Sequence, residues 1–288
     1  MEKNRIPYAA TVNRERIVWP NNARIACYVG INIEYYDIDR ASSRAPDAHR
    51  PDMLQHVYHE YGARVGVFRM MDILDRHNMR ASVLLNAEVC ERQPEIIAEG
   101  VKRNWEWLGH GLTNQRMLPS YRPEEEQGVI RQVRETISKA TGVAPKGWLG
   151  PGLAETFQTP DLLVAEGFDY VCDWGCDDQP LPMQVAGGRL LAVPYQQGLN
   201  DATYLRDYQH TGEEYARAVC DAFDVLYEEA ATGGKVLALP THPHNIGVPM
   251  NAKSFSRALD YITSHRDVWL TTAGEIADWY YAHYFKEP

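Results

Sequence analysis

RIACYVGINIE, residues 24–34, splits by alternation into two unlike sets. Ile25, Cys27, Val29, Ile31 and Ile33 form a branched apolar set; Ala26, Tyr28, Gly30, Asn32 and Glu34 form a smaller, more polar one. A strand puts such sets on opposite faces. The branched face suits packing under helices. The other suits a barrel interior, and it carries Glu34 to the C-terminal rim. No Gly-x-Gly-x-x-Gly turn follows, which argues against an open dinucleotide-binding sheet.

Outward from this strand, short apolar runs alternate with amphipathic ones. The periodicity predicts strands at 80–86, 105–110, 146–150, 168–173, 189–195, 234–242 and 268–271. It predicts helices at 65–78, 94–104, 122–142, 159–167, 212–231, 252–265 and 272–285. Such alternation with short connections implies a parallel sheet, and seven or eight units in one chain imply an α/β barrel. The expected organisation is one domain over 1–288, with 1–23 as an N-terminal extension. The same parity count brings Asn86, His110, Asp173 and His242 to the rim that holds Glu34, where barrel active sites lie.

The 288 residues carry 29 Lys+Arg against 39 Asp+Glu, a net charge of −10 that argues against nucleic acid or an anionic membrane as partner. Five cysteines at irregular spacing read as free thiols of a reducing cytoplasm, since the Cys172–Cys176 pair has no second pair with which to hold a structural zinc. MEKNRIPYAA is no signal peptide, and no run approaches the ~18 apolar residues of a spanning helix. The expectation is a cytoplasmic protein acting on a small molecule.

The candidate chemistry sits at strand ends. Glu34, if partly desolvated, should have a raised pKa suited to a general base; otherwise it caps a helix or pairs with a cation. Asp37 and Asp39 read as a solvated loop. His110 lies between two glycines, which let backbone approach a ligand; the alternative is a histidine bonded to a neighbouring carbonyl. His242 and His244 (LPTHPHNIGVP, 239–249) form a His-x-His pair, unless Pro243 turns His244 away; His242 reads as a general acid or electrophile first and a metal ligand second. Asp173, Asp177 and Asp178 (CDWGCDDQP, 172–180) bind a metal or polar substrate, or form a solvated turn. Trp148 and Trp174 read as walls for a flat substrate, or as rim packing. His49, His56 and His59 fall in a segment that reads as an irregular, solvated loop. There is no Gly-x-Ser-x-Gly elbow and no phosphate loop.

EYGARVGVFRMMDILDRH, GHGLTN, PKGWLGPG, CDWGCDDQP, THPHNIGVP and VWLTTAGEIADWY, in this order, resemble the polysaccharide deacetylase (NodB-homology) superfamily over roughly Arg24 to Tyr284. The resemblance implies a distorted (β/α)7-type barrel. It also implies a Thr-Phe-Asp-Asp-Gly motif whose aspartates are base and metal ligand, a His-Ser/Thr-x-x-His motif with two more ligands, a later arginine and a final acid histidine. Here Glu34 stands at the base, Tyr35 or Tyr36 at the metal carboxylate, His110 and Asn114 at the ligand histidines, and Trp148 or Leu149 at the arginine; His242 matches the final histidine. With one inherited ligand left, no metal is expected in that triad, though a site rebuilt with His244, Asp173 or Asp177 and a divalent ion such as zinc stays open. The intracellular branch, with metal-independent allantoinases and cyclic imide hydrolases, is the nearer likeness, and it implies a cytoplasmic homo-oligomer, often a tetramer.

The resulting expectation is a hydrolase of the C–N bond in a small cyclic amide, imide or ureide. Glu34 activates water, His110 and Asn114 hold the carbonyl oxygen, and His242 protonates the leaving nitrogen. Tyr35, Asn86, Trp148, Trp174, Asp177 and His244 shape the substrate pocket. The rivals are metal-dependent N-deacetylation of an amino sugar or peptidoglycan-type substrate, and a catalytically inactive binding protein.

Overall fold

A computed structural model describes residues 4–286 apart from 44, 46 and 48. Its sheet contains β1 (Ile25–Ile33), β2 (Ala81–Leu85), β3 (Glu106–Gly109), β4 (Gly147–Trp148), β5 (Tyr170–Val171), β6 (Leu181–Met183), β7 (Leu190–Ala192), β8 (Lys235–Thr241) and β9 (Val268–Leu270). The strand order is β6-β7-β5-β4-β3-β2-β1-β8. All neighbours are parallel except β6 and β7. Seven parallel strands thus form a distorted barrel wall, as expected. β9 pairs with Ile25–Cys27 of β1, while β2 pairs with Val29–Ile33, so the two share one edge of β1.

Side chains complete the closure. The amide of Gln196, just past β7, donates to Val236 O (2.8 Å) and accepts from Ala238 N (2.6 Å). Val236 N donates to Asp178 O (2.9 Å). These bonds satisfy backbone groups that a partner strand would otherwise pair.

The parity of β1 holds. Ile25, Cys27, Val29, Ile31 and Ile33 lie in the outer core under the helices, whereas Ala26 and Tyr28 join Leu84, Leu108, Val193 and Ala238 inside the barrel. In β5 the expected parity fails. Tyr170 and Cys172 face inward and Val171 outward. Asp173 accepts from Gly150 N (2.9 Å) and does not join the rim that holds Glu34. Phe168 lies in the outer core beside Val171, a half-register change that apolar pattern alone does not reveal.

The helices are α1 (Met53–Tyr61), α2 (Val67–Arg76), α3 (Val89–Arg92), α4 (Pro94–Lys102), α5 (Pro123–Thr141), α6 (Thr159–Ala165), α7 (Gly212–Glu229), α8 (Pro249–Ser264) and α9 (Ala273–His283). α5 begins at Pro123 with three glutamates in its first turn and stops at Gly142, whose φ of 78° suits glycine. The segment expected to be a solvated loop is helical: Asp52 caps α1 through Gln55 N (3.1 Å), and a π-type turn at Gly62–Gly66 joins α1 to α2. The sequence obscured α1 because Met53, Leu54 and Val57 are exposed apolar residues that blur its amphipathic stripe.

Glu106 locks the base of the barrel. It is partly buried and accepts from Tyr170 Oη (2.6 Å), Ser82 Oγ (2.8 Å) and Gly274 N (3.1 Å), tying α9 to β2, β3 and β5. Burial outweighs these donors and pushes its carboxyl above the ordinary value. Glu106→Ala strands three buried donors, so chemical denaturation should show a loss of about 3 kcal/mol or more.

Residues 4–23 lie along the barrel: Arg5 makes paired bonds to Asp161 (3.1 and 2.7 Å), and the buried Trp19 indole donates to Lys235 O (3.0 Å). Among the described residues no helix is long and apolar enough to cross a membrane.

Candidate active site

At the C-terminal rim, Glu34 follows β1 and its buried side chain faces four histidines from three segments of the chain. Its Oε1 lies 3.5 Å from His110 Nε2 and 3.8 Å from His242 Nε2; its Oε2 lies 4.0 Å from His59 Nε2. Asn114 Nδ2 donates to Oε1 (2.7 Å) and to Tyr36 Oη (2.7 Å). These groups border a cavity of about 280 Å³ that also meets His244 and Arg206. The volume suits a small ring, near the lower end for ligand pockets.

Two histidines have their tautomers set by carbonyls, which only accept. His110 Nδ1 donates to Leu149 O (2.6 Å), and His59 Nδ1 donates to Gln55 O (2.8 Å). When neutral, each therefore turns an Nε2 lone pair toward Glu34. Asn114 Oδ1 is buried without a hydrogen-bond partner, and the nearest acceptor to the buried His110 Nε2 is Glu34 Oε1 at 3.5 Å. His242 differs: its Nδ1 donates to Asp201 Oδ1 (2.6 Å) and its backbone N to Asp201 Oδ2 (2.7 Å). Asp201 is wholly buried and precedes a second π-type turn, Ala202–Asp207. π-type turns are frequent at functional sites, and both of those here flank this cavity.

These contacts set the charges. Desolvation alone would raise the Glu34 carboxyl, but the His110 hydrogen bond and the positive potential of His242 and His110 hold it well below the usual carboxylate range. The expected raised value is therefore corrected: Glu34 is a fixed anion and a weak base. Burial lowers His242, yet the Asp201 charge and hydrogen bond outweigh it and hold the ring above the ordinary histidine value. His59 and His244 are lowered, chiefly by desolvation, so both stay neutral.

The structure brings Glu34, His110, Asn114, His242 and His244 together, so Pro243 does not turn His244 away. It separates the rest. Asn86 bridges Tyr35 N (2.9 Å) and His110 O beneath the rim and positions both strand ends. The Tyr35 ring points outward beside Arg92, and Tyr36 takes the inward place. Trp148 is buried in the outer core edge-on to Phe168. Trp174 donates to Glu155 (2.9 Å), and Asp177 pairs with Arg14 (2.6 Å); both border another cavity beside the N-terminal segment. These four are corrections to the expected pocket: the tyrosine and Trp148 fall on outward parity, and the 174–177 segment turns away from the rim. Asp201, His59, Tyr36 and Arg206 were missed. The signal for Asp201 was its place in the rim loop after the strand at 189–195; for His59 it was helical spacing from Gln55.

The family's metal positions can be tested against this geometry. A metal there needs lone pairs from residues 110 and 114 and a carboxylate beside them. Asn114 instead spends both amide hydrogens on Glu34 and Tyr36, and Tyr35 points away. The inherited triad does not fit a metal.

Local glycines hold the site. A Cβ on Gly62 would lie 2.8 Å from His244 N, and one on Gly66 would collide with the Pro243 carbonyl, so this helix turn docks on residues 243–247 backbone to backbone. Gly66→Ala should therefore cost about 1–3 kcal/mol in a denaturation midpoint assay, and it should perturb His244 resonances more than His110 ones.

A barrel rim with a buried carboxylate, a backed histidine and a small cavity suits acid–base hydrolysis. Residues 57–171 match a family model described as polysaccharide deacetylase. A Schizosaccharomyces pombe protein named for polysaccharide deacetylases is 27% identical, over 93% of this chain and 94% of its own. A crystal structure of a probable polysaccharide deacetylase from Pseudomonas aeruginosa PAO1 is 28% identical with a TM-score of 0.83, over 95% of this chain and 97% of that one. The crystal structure of Puue allantoinase is 27% identical with a TM-score of 0.84, over 96% of both chains. Over nearly its whole length the chain is thus similar to hydrolases of the polysaccharide deacetylase type.

Proposed function

We propose that the protein hydrolyses the C–N bond of a small cyclic amide, imide or ureide, using Glu34 and His242 on either side of the reacting atom. The observation that carries this is the placement of His242 Nε2 3.8 Å from Glu34 Oε1 with Asp201 behind it, in a cavity of about 280 Å³ that suits a small ring. The likeness to Puue allantoinase, a ureide-ring hydrolase by its name, supports the substrate class.

Glu34 takes the proton of the attacking water. It is always ionised near neutral pH but weakly basic, so the substrate must be an activated carbonyl, as imides and ureide rings are. His110, its Nδ1 held by Leu149 O, presents Nε2 beside Glu34 and orients the water. This changes the expected role of His110 and Asn114: neither offers a proton to an oxyanion, because His110 donates to Leu149 O and Asn114 to Glu34 and Tyr36. Protonated His242 faces the cavity as the donor for the developing oxyanion. His242 then passes its Nε2 proton to the leaving nitrogen as the ring opens.

The test is turnover of a panel of hydantoins, imides and ureides by exhaustively chelated protein. Ring opening without added metal supports the reading, and its absence across the panel overturns it. The names of the S. pombe and P. aeruginosa relatives favour a second reading, deacetylation of an amino sugar, so N-acetylated sugars belong in the same panel. We also propose a cytoplasmic homo-oligomer, in keeping with five unpaired cysteines; light scattering after gel filtration reads its mass.

A further inference from the structure

We propose that Glu34 Oε2, His59 Nε2 and a ring nitrogen of His244 form a binding site for a first-row divalent cation of the zinc class, on the α1 side of the cavity and displaced from the family's ligand positions at 110 and 114. The three donors come from β1, α1 and the loop after β8. Their candidate ligand atoms lie within 4.8 Å of one another, and no other group of three or more His, Cys, Asp or Glu among the described residues meets that spacing. Zinc at about 2.1 Å from each requires them to close by roughly 1 Å.

The donors are prepared for a cation in three ways. First, the His59 Nδ1 proton is tied to Gln55 O, the arrangement by which metal-bound histidines are commonly held, so its Nε2 lone pair faces Glu34 across 4.0 Å. Second, the carboxylate is divided. Oε1 is engaged by Asn114 at 2.7 Å, while Oε2 accepts only a long bond from Tyr36 Oη (3.5 Å) and faces His59. Third, the histidines sit on fixed supports. Tyr36 stacks on His59 at 3.6 Å, the His59 and His244 rings lie 4.3 Å apart, and Tyr58 Oη bonds Asn245 at 2.9 Å. The Gly62–Gly66 turn presses α1 directly against Pro243 and His244.

Electrostatics then asks for a positive charge. A buried carboxylate oxygen facing two imidazoles is acceptor against acceptor, and the one donor to Oε2, Tyr36 Oη, stands at the long distance of 3.5 Å, so a cation there is favoured. One carboxylate and two imidazoles suit Zn²⁺ or Co²⁺ and discriminate against Ca²⁺ and Mg²⁺, which prefer oxygen shells. A proton on His59 is the competing solution, so the test must separate proton from metal.

Chelated protein is titrated with Co²⁺, whose visible absorption reports nitrogen ligation independently of turnover, and Zn²⁺ is measured by displacement. One equivalent per chain is expected. His59→Gln and His244→Gln should each weaken binding at least about 100-fold, the upper end of effects seen even for outer-shell partners. His110→Gln should leave it within a few-fold. The melting temperature of each chelated variant shows whether it folds; one that fails is replaced by the Asn substitution at the same position. No cobalt band up to millimolar metal, unchanged binding in both His59→Gln and His244→Gln, or loss confined to His110→Gln overturns the site. The inference does not depend on the proposed reaction. Turnover by chelated protein that binds no cobalt sinks this site alone, and cobalt held by His59 and His244 in a protein that opens no ring sinks only the reaction.

Discussion

Glu34→Gln lowers kcat for ring opening by about 10³-fold, within the range for removal of a positioned general base, and leaves KM within a few-fold. The amide is isosteric, and its oxygen still accepts from Asn114, so the rim keeps its shape. What disappears is a carboxylate whose two oxygens together lie within 4.0 Å of three imidazole nitrogens. The pH dependence has a definite sign. Because the folded-state carboxyl is held below its ordinary value of 4.5, the acid limb of kcat/KM in the wild type lies below that value. The same depression contributes stability that is present above the unfolded value and is lost as pH falls through the folded one. The glutamine variant lacks this contribution, so its stability deficit at neutral pH should shrink on acidification, as urea melts at several pH values would show. Retention of full activity by Glu34→Gln on whichever substrate is opened would sink the mechanism.

Period-two reasoning reached much of this site because three of its members end strands. Glu34, His110 and His242 each stand two or four residues beyond inward-facing positions, and a strand transmits that parity rigidly to its end. Where the chain leaves the strand, counting stops carrying information. Tyr35 and Tyr36 are adjacent, and only the turn after β1 decides which one faces the cavity. Trp148 failed because β4 is two residues long and its inward member is Gly147, where a Cβ at 147 would collide with Tyr170. His59 and Asp201 reach the pocket from a helix and from a loop, through contacts of 4.0 Å and 2.6 Å that span more than 20 and 40 residues of sequence. No local pattern encodes such pairs. The fold was legible because alternation repeats along the chain; the acid half of the chemistry was not, because the residue behind His242 is a lone aspartate in an irregular loop.

That aspartate makes the second large prediction. Asp201→Asn should reduce kcat by about 10²–10⁴-fold, although residue 201 need not touch substrate. The carboxylate accepts two bonds from one residue, the His242 ring Nδ1–H and backbone N–H. An asparagine side chain has one acceptor. If its oxygen keeps the backbone N–H, its NH₂ donates to Nδ1 and forces the ring proton onto Nε2, leaving a neutral imidazole far less acidic than the imidazolium. If instead the oxygen keeps Nδ1–H, two buried donors confront each other at a cost of about 1–3 kcal/mol. Either way the charge that holds His242 above the ordinary histidine value of 6.5 is gone, and burial, the opposing influence, prevails. The wild-type alkaline limb of kcat/KM therefore lies above that value, and in the variant it moves below it. A packing role alone would change stability without moving the limb. Substrates whose leaving nitrogen needs no protonation, such as N-aryl imides bearing electron-withdrawing groups, should recover most of the lost rate in Asp201→Asn and none of it in Glu34→Gln, which separates the acid from the base on opposite sides of the same cavity.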